Sequence, residues 1–355
     1  MIRLVEIFRY FLYLGTCGFG GPLGLAAHMK KDLVEKKNWI TEQEYLDGLA
    51  AATILPGPIA FQLGIYCGWV RRNILGGIVA GVSFIITPFF LCVLLGFLYQ
   101  KYRSLPWMGS LFYGVAPVVL ALIWNACLKL GKTTLKNTGS VAIFIVSFYI
   151  AFRFQFNFIY LLLGAGILNA IINYRKISNV CMSLYWPLFF FFFKAGLFIF
   201  GSGLVIVPFL QQFVVEQFHW INSQAFLDGI SIGMISPGPV LITATFVGFL
   251  TAGFSGACVA TAGIFLPSFI LIFAGAPLLK RYQKNTHLQN FVRGITAAVV
   301  AVIAASTAHL TQQIAADLPT ILVIVVTLCL LRWRNIPDPM LVGAGALFGL
   351  LWKSL

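Results

Sequence analysis

Charge is what this sequence has least of: Asp, Glu, Lys and Arg make up 10% of its 355 residues, where a soluble domain carries about 25%. With a mean hydropathy of +0.92, this excludes a water-soluble enzyme, a nucleic-acid-binding domain and a disordered tail. Histidine is scarce: His28, His219, His287 and His309 stand apart, so no metal-ligand cluster is expected. The seven cysteines fall singly in apolar stretches with no C-x-x-C spacing, which excludes a zinc site or a redox pair and reads as small buried hydrophobes. No phosphate-cradling glycine loop is present, so nucleotide drive is not expected and no cofactor is implied.

What the chain does have is apolar length. Segments near 8–27, 45–69, 74–99, 109–130, 139–152 and 157–174 are followed by six more near 185–210, 226–250, 254–279, 292–310, 318–332 and 340–352. Runs of about 20 residues span a hydrocarbon core about 30 Å thick. The expectation is an all-α polytopic membrane protein at the cell membrane. The net charge of +14 does not indicate nucleic acid, because Lys30-Lys31, Arg71-Arg72, Arg175-Lys176 and Lys280-Arg281 sit in short loops between apolar runs.

Six and six prompts a search for a repeat. Trp39-Ile40 and Leu46-Asp47-Gly48 recur 181 positions on as Trp220-Ile221 and Leu227-Asp228-Gly229. The same spacing carries Pro56-Gly57-Pro58 onto Pro237-Gly238-Pro239, Phe19-Gly20 onto Phe200-Gly201, and Gly15 onto Gly196. At a spacing of 180, Gly114–Ala121 overlies Gly294–Ala301. The chain reads as two tandem repeats, 1–176 and 177–355. The first apolar run has a counterpart deep in the second half, so it reads as part of the fold and not as a cleaved signal.

Counting basic residues by loop supplies the topology. If all twelve segments cross, the two faces share Lys and Arg almost evenly, 13 to 10. If the segment holding Pro-Gly-Pro in each half enters and leaves on one face, five crossings remain per half and the halves point in opposite directions. Seventeen basic residues are then cytoplasmic against six outside, the six including Arg3 and Arg9. The cytoplasmic excess of Lys and Arg favours this arrangement: an inverted tandem repeat of two helical bundles with broken or re-entrant helices, its N-terminus outside.

The candidate binding residues follow from the breaks. Proline has no N–H and disfavours helix at the residue before it, so each Pro-Gly-Pro interrupts its helix. In lipid the freed backbone groups must line a cavity or be buried in protein. Paired breaks at corresponding positions of two repeats point to a midplane substrate site. Pro56, Gly57, Pro58, Pro237, Gly238 and Pro239 are therefore candidates, joined by Gly20, Gly21 and Pro22 and by Gly201, Ser202 and Gly203 at the glycine-rich breaks. Helix starts exposed there would offer N–H groups to an anion. Lys194 is the one cation well inside an apolar run; it either complements an anion or snorkels to an interface. Asp47 and Asp228 sit a few residues into their helices, where capping or local pairing suits them better than proton coupling. Thr41 and Glu44 fit a capping box, and Trp39 and Trp220 look like interfacial anchors. Gln62, Asn125, Thr243 and Thr245 either line a pathway or bond helix to helix.

These residues resemble the chromate ion transporter family. The resemblance rests on Phe19-Gly20-Gly21-Pro22, Trp39-Ile40, Leu55-Pro56-Gly57-Pro58, Phe200-Gly201-Ser202-Gly203, Pro237-Gly238-Pro239-Val240, Thr243-Ala244-Thr245-Phe246 and Gly263-Ile264-Phe265-Leu266-Pro267-Ser268-Phe269. It implies a two-domain secondary transporter whose usual assignment is chromate efflux. The family pattern differs at Thr53, Met234 and Leu25, and Pro88 stands one residue beyond the counterpart of Pro267. The implied partners are a small oxyanion and the lipid bilayer, with no nucleic acid, and a homodimer is compatible with the reading. The rivals are a transporter of another anion such as sulfate, and a membrane scaffold that transports nothing. An intramembrane hydrolase is disfavoured, because Gly201-Ser202-Gly203 is not Gly-x-Ser-x-Gly and no His or acid accompanies it.

Overall fold

A computed structural model describes residues 3–354 apart from 19–20, 104, 137, 155–183, 200–202, 204–205, 278–285, 315–316 and 334–335. Among the described residues there are thirteen α-helices and no strand. In the first half they are α1 (Leu4–Cys17), α2 (Gly21–Met29), α3 (Glu42–Ile54), α4 (Ile59–Tyr102), α5 (Pro106–Thr134) and α6 (Thr138–Phe154). In the second they are α7 (Tyr185–Leu197), α8 (Ile206–Phe209), α9 (Ser223–Ile235), α10 (Thr243–Ile270), α11 (Thr286–Ile314), α12 (Leu318–Trp333) and α13 (Asp338–Ser354). Wider, i→i+5 turns extend α2 through Lys30–Lys36, α8 through Leu210–Gln217 and α10 through Leu271–Gly275. Helices α1 and α7 begin at Leu4 and Tyr185, and α3 and α9 at Glu42 and Ser223, both pairs in the register of the sequence repeat.

Helix α4 is two helices. Forty-four residues in a straight rod would run roughly 66 Å, yet the backbones of Gly68 and Gly76 touch. Arg72 (φ −144°, ψ 36°) and Asn73 (φ 52°, ψ −152°) reverse the chain between them. Ala252 and Gly253 do the same in α10 with nearly the same dihedrals, and there Gly248 meets Gly256. Each helix therefore has a short first arm and a long second arm, residues 74–102 in α4 and 254–275 with its extension in α10.

The short arms pair with the helices before them. Thr41 caps α3, accepting from the Glu44 N–H at 3.2 Å while Glu44 Oε2 accepts from the Thr41 N–H at 2.8 Å, the capping box expected from the sequence. The helix then runs to Leu55, where the backbone turns extended and Pro-Gly-Pro follows. Gly48, nine positions before Gly57, packs on the ring of Tyr66, nine positions after it, so the first arm of α4 lies back along α3. Gly229 and Phe246 repeat the contact around Gly238. These are the two re-entrant hairpins the basic-residue count favours, each with Pro-Gly-Pro at its tip.

The first segment of each half also turns back, which corrects the expectation that 8–27 crosses. Helix α1 has 14 residues, about 21 Å against a core of about 30 Å. It stops at Gly18, and the rings of Tyr10 and Trp39 then stand 5.7 Å apart. Phe191 and Trp220 meet likewise at 5.8 Å. The chain runs in to the glycine break and returns, so residues 3–9 lie on the same face as Lys36 and Arg71, whose guanidinium donates to the Asn38 carbonyl at 3.3 Å. Arg3 and Arg9 thus stand on the face of the Lys36 and Arg71 loops, not on the opposite face where the basic-residue count puts them. With both segments returning, the count of five crossings per half no longer holds, and the opposed directions of the halves rest on the long arms of α4 and α10.

The halves point in opposite directions. The long arms of α4 and α10 run antiparallel: Gly77 packs on Phe273 and Gly81 on Phe269, while Gly96 at the other end packs on Phe249, just before the turn that starts the long α10 arm. The base of the first hairpin thus lies beside the start of the long α4 arm, and the base of the second beside its end. Phe61 fills the seam between halves, 4.7 Å from Phe265 and 5.5 Å from Phe269. The outer face of the long α4 arm exposes Leu75, Ile78, Val82, Phe90, Leu94 and Phe97, a stripe at helical spacing suited to lipid. The expected segment 157–174 lies outside the described residues.

Candidate substrate site

The breaks meet in the middle of the molecule and they meet crosswise. The Gly57 N–H donates to the Ile199 carbonyl, and the Gly238 N–H donates to the Gly18 carbonyl at 3.2 Å. Ile199 is the repeat counterpart of Gly18, as Gly238 is of Gly57, so the two bonds are one contact repeated about a two-fold axis. Each Pro-Gly-Pro tip is tied to the glycine break of the other half. A backbone donor that would have no partner in lipid is satisfied only where both repeats come together.

Both tip glycines have positive φ, 142° at Gly57 and 86° at Gly238. L side chains rarely adopt such backbone, and glycine does so without steric cost. Pro58 and Pro239 start the next helices from extended backbone, with ψ 116° and 130°. Pro56 and Gly238 are half-buried, while Gly57, Pro58, Pro237 and Pro239 are buried.

The surroundings of the tips also cross between halves. A Cβ on Gly57 would overlap Gln62 Nε2 and lie 2.9 Å from Ser268 Oγ, on the long α10 arm. A Cβ on Gly238 would lie 3.2 Å from Pro88 Cγ, on the long α4 arm, and 3.9 Å from the Gly15 carbonyl. Gly203 packs on Leu241 and Val240 just beyond the second tip. Gln62 donates from Nε2 to the Pro56 carbonyl at 2.6 Å and bridges its own tip.

Of the expected site residues, then, Pro56, Gly57, Pro58, Gly203, Pro237, Gly238 and Pro239 are assembled at the crossing. Gly21 and Pro22 open α2 just after the first break. Gly20, Gly201 and Ser202 lie outside the described residues. Lys194 is exposed on α7, as Tyr13 is on α1, and the structure does not bring it to the tips. Thr243 donates to the Val240 carbonyl at 2.8 Å, and the hydroxyls of Thr245 and Thr261 pair at 2.7 Å. Sequence reasoning missed Ser268 as a tip residue. Its signal was available in the repeat, where it falls opposite Pro88, but nothing in the linear order says that an arm of one half touches the tip of the other.

The two aspartates pair locally. Gln43 Nε2 donates to Asp47 Oδ1 at 2.8 Å and Gln224 Nε2 to Asp228 Oδ1 at 3.0 Å, each one helical turn apart. Asp228 also accepts from the Tyr99 hydroxyl at 2.8 Å. Among the described residues no group of His, Cys, Asp and Glu could hold a metal ion.

A duplicated, inverted helical bundle with non-helical backbone buried at its centre belongs to the class of multi-pass membrane proteins that handle small solutes. The chromate transporter family matches residues 5–170 and 186–350. A chromate transport protein of Cupriavidus metallidurans is 40% identical over 98% of this chain and 93% of its own length. A probable chromate transport protein of Synechococcus elongatus is 36% identical over 99% and 96%. An uncharacterized transporter of Methanocaldococcus jannaschii is 28% identical over 92% and 89%. No solved structure matches. The chain belongs to the chromate transporter family and is a multi-pass membrane transport protein.

Proposed function

We propose that this protein exports a tetrahedral oxyanion, chromate first among them, through the crossing of the two Pro-Gly-Pro tips. The observation that carries the reading is the reciprocal pair of tip bonds, Gly57 to Ile199 and Gly238 to Gly18, which buries non-helical backbone of both repeats at one place. Irregular backbone at membrane depth persists only where protein or a cavity surrounds it. The names of the relatives in C. metallidurans and S. elongatus supply chromate.

Repeats 1–176 and 177–355 act as two bodies, and access alternates as one rocks against the other about the crossing. Each tip is bonded to the opposite repeat, so rocking must break and remake those two bonds. An oxyanion leaving an inside-negative cell gains about 2.3 kcal/mol per negative charge at 100 mV, whether it carries one charge or two. Efflux therefore needs no other energy source.

Everted vesicles from cells expressing the chain test the proposal. They accumulate labelled chromate under an inside-positive potential. Absence of flux for every oxyanion tried, in vesicles shown to contain the protein, overturns it.

A further inference from the structure

Among the described residues three buried side-chain polar atoms have no hydrogen-bond partner: Tyr10 Oη, Gln62 Oε1 and Ser268 Oγ. Buried polar groups are almost always paired, and an exception calls for an explanation. Two of these three converge on one tip, because Gln62 and Ser268 are both fully buried and both border Gly57. They come from opposite halves of the chain, so neither orphan follows from local folding.

Among the described residues the other tip has no such pair. Pro88, which has no polar side-chain atom, takes the place of Ser268 beside Gly238. Thr243, 181 positions after Gln62, packs on Gly233 and spends its hydroxyl on the Val240 carbonyl. A two-fold backbone thus carries one-sided side-chain chemistry.

We propose that Gln62 and Ser268 are the specificity-determining pair of the substrate site, and that they select an oxyanion carrying a hydroxyl group. The inference rests on the oxyanion-transport reading above. The Ser268 hydroxyl donates to an anionic oxygen. The amide of Gln62 is oriented by its 2.6 Å bond to Pro56, which leaves Oε1 as the free end. An amide oxygen accepts and cannot donate; it repels a bare oxyanion oxygen and binds the O–H of a protonated one. Chromate takes up a proton near neutral pH and sulfate only in strong acid. The pair therefore separates two ions of nearly the same size and shape by the proton that one of them carries.

Proteoliposomes holding the full chain test this at neutral pH with labelled chromate as substrate and sulfate as competitor. In the wild type, sulfate competes at least about tenfold more weakly than unlabelled chromate, because a site built to bond a hydroxyl rejects the analogue without one. Gln62→Met raises the KM for chromate about tenfold and brings the two competitors within about threefold of each other. Ser268→Ala weakens both ions together and does not lower the thermal midpoint, since it removes an unpaired buried hydroxyl.

Equal competition by sulfate and chromate in the wild type overturns the inference, and that arm needs no variant to fold. So does a folded Gln62→Met that keeps the wild-type KM and competitor ratio. Wild-type liposomes with no oxyanion flux would instead remove the transport reading itself.

Discussion

The Tyr99 hydroxyl, at the end of the long α4 arm, donates a 2.8 Å hydrogen bond to the carboxylate of Asp228 near the start of α9. The bond joins the first repeat to the base of the second hairpin. Asp228 is 2% exposed, and its other carboxylate oxygen is held by Gln224. Asp47, its counterpart, shares the glutamine bond.

Tyr99→Phe removes a donor from a buried carboxylate and keeps the ring packed on Phe112 and Phe246. The expected cost is about 1–3 kcal/mol, read as a lower thermal midpoint of the purified protein in detergent. Combined with Asp228→Asn the losses are less than additive, since both changes break one bond.

Alanine separates the two tips. Both glycines have a positive φ, but at Gly57 a Cβ also overlaps Gln62 and meets Ser268 at 2.9 Å, whereas at Gly238 its nearest neighbour is Pro88 at 3.2 Å. Gly57→Ala is expected to reduce chromate flux in everted vesicles more than Gly238→Ala. Leucine at either position abolishes it. A well-expressed double leucine variant that still transports would contradict a site at these tips.

The reversal of the first segment places the start of α1 beside the basic loops. With the native cysteines replaced, Cys17, Cys258 and Cys329 being the exposed ones among the described residues, Glu6→Cys and Lys36→Cys are expected to react with an impermeant maleimide from one side of the membrane. Arg103→Cys reacts from the other. Labelling of positions 6 and 36 from opposite sides would show that the segment crosses after all.

Gly114 on α5 lies against Gly345 and Gly349 on α13, where backbone approaches backbone. Small residues at such contacts let membrane helices pack closely. Gly114→Leu has no flexible neighbour to displace, and a loss of about 3 kcal/mol or more is expected. It reads as reduced yield of monodisperse protein, while Gly109→Leu, at an open position on the same helix, keeps the wild-type elution profile.

Much of this was legible beforehand for identifiable reasons. Pro56-Gly57-Pro58 had to interrupt a helix, since proline's ring and missing N–H act locally, and the capping residues Thr41 and Glu44 lie three positions apart. The turn at Arg72-Asn73 showed as a charged gap between the apolar runs 45–69 and 74–99, but its backbone geometry did not. Neither residue is Gly or Pro, Asn73 adopts φ 52°, and only comparison with Gly253 in the second repeat gives it away. The return of the first segment was hidden because an apolar run of membrane-spanning length looks the same whether it crosses or folds back. Lys194 drew notice for its charge, yet its position on the exposed face of α7 depends on how that helix is rotated in the bundle.

Composition, periodicity and the repeat spacing by themselves determined a duplicated helical membrane protein broken at fixed places, because helix formation, proline geometry and transfer to lipid are short-range matters of residue type. Only the tertiary structure decided that the breaks cross between halves and that Ser268 stands beside Gly57. Those two positions belong to different repeats, far apart along the chain. Their meeting depends on two oppositely directed repeats packing along α4 and α10, a balance of contacts that no local stretch encodes.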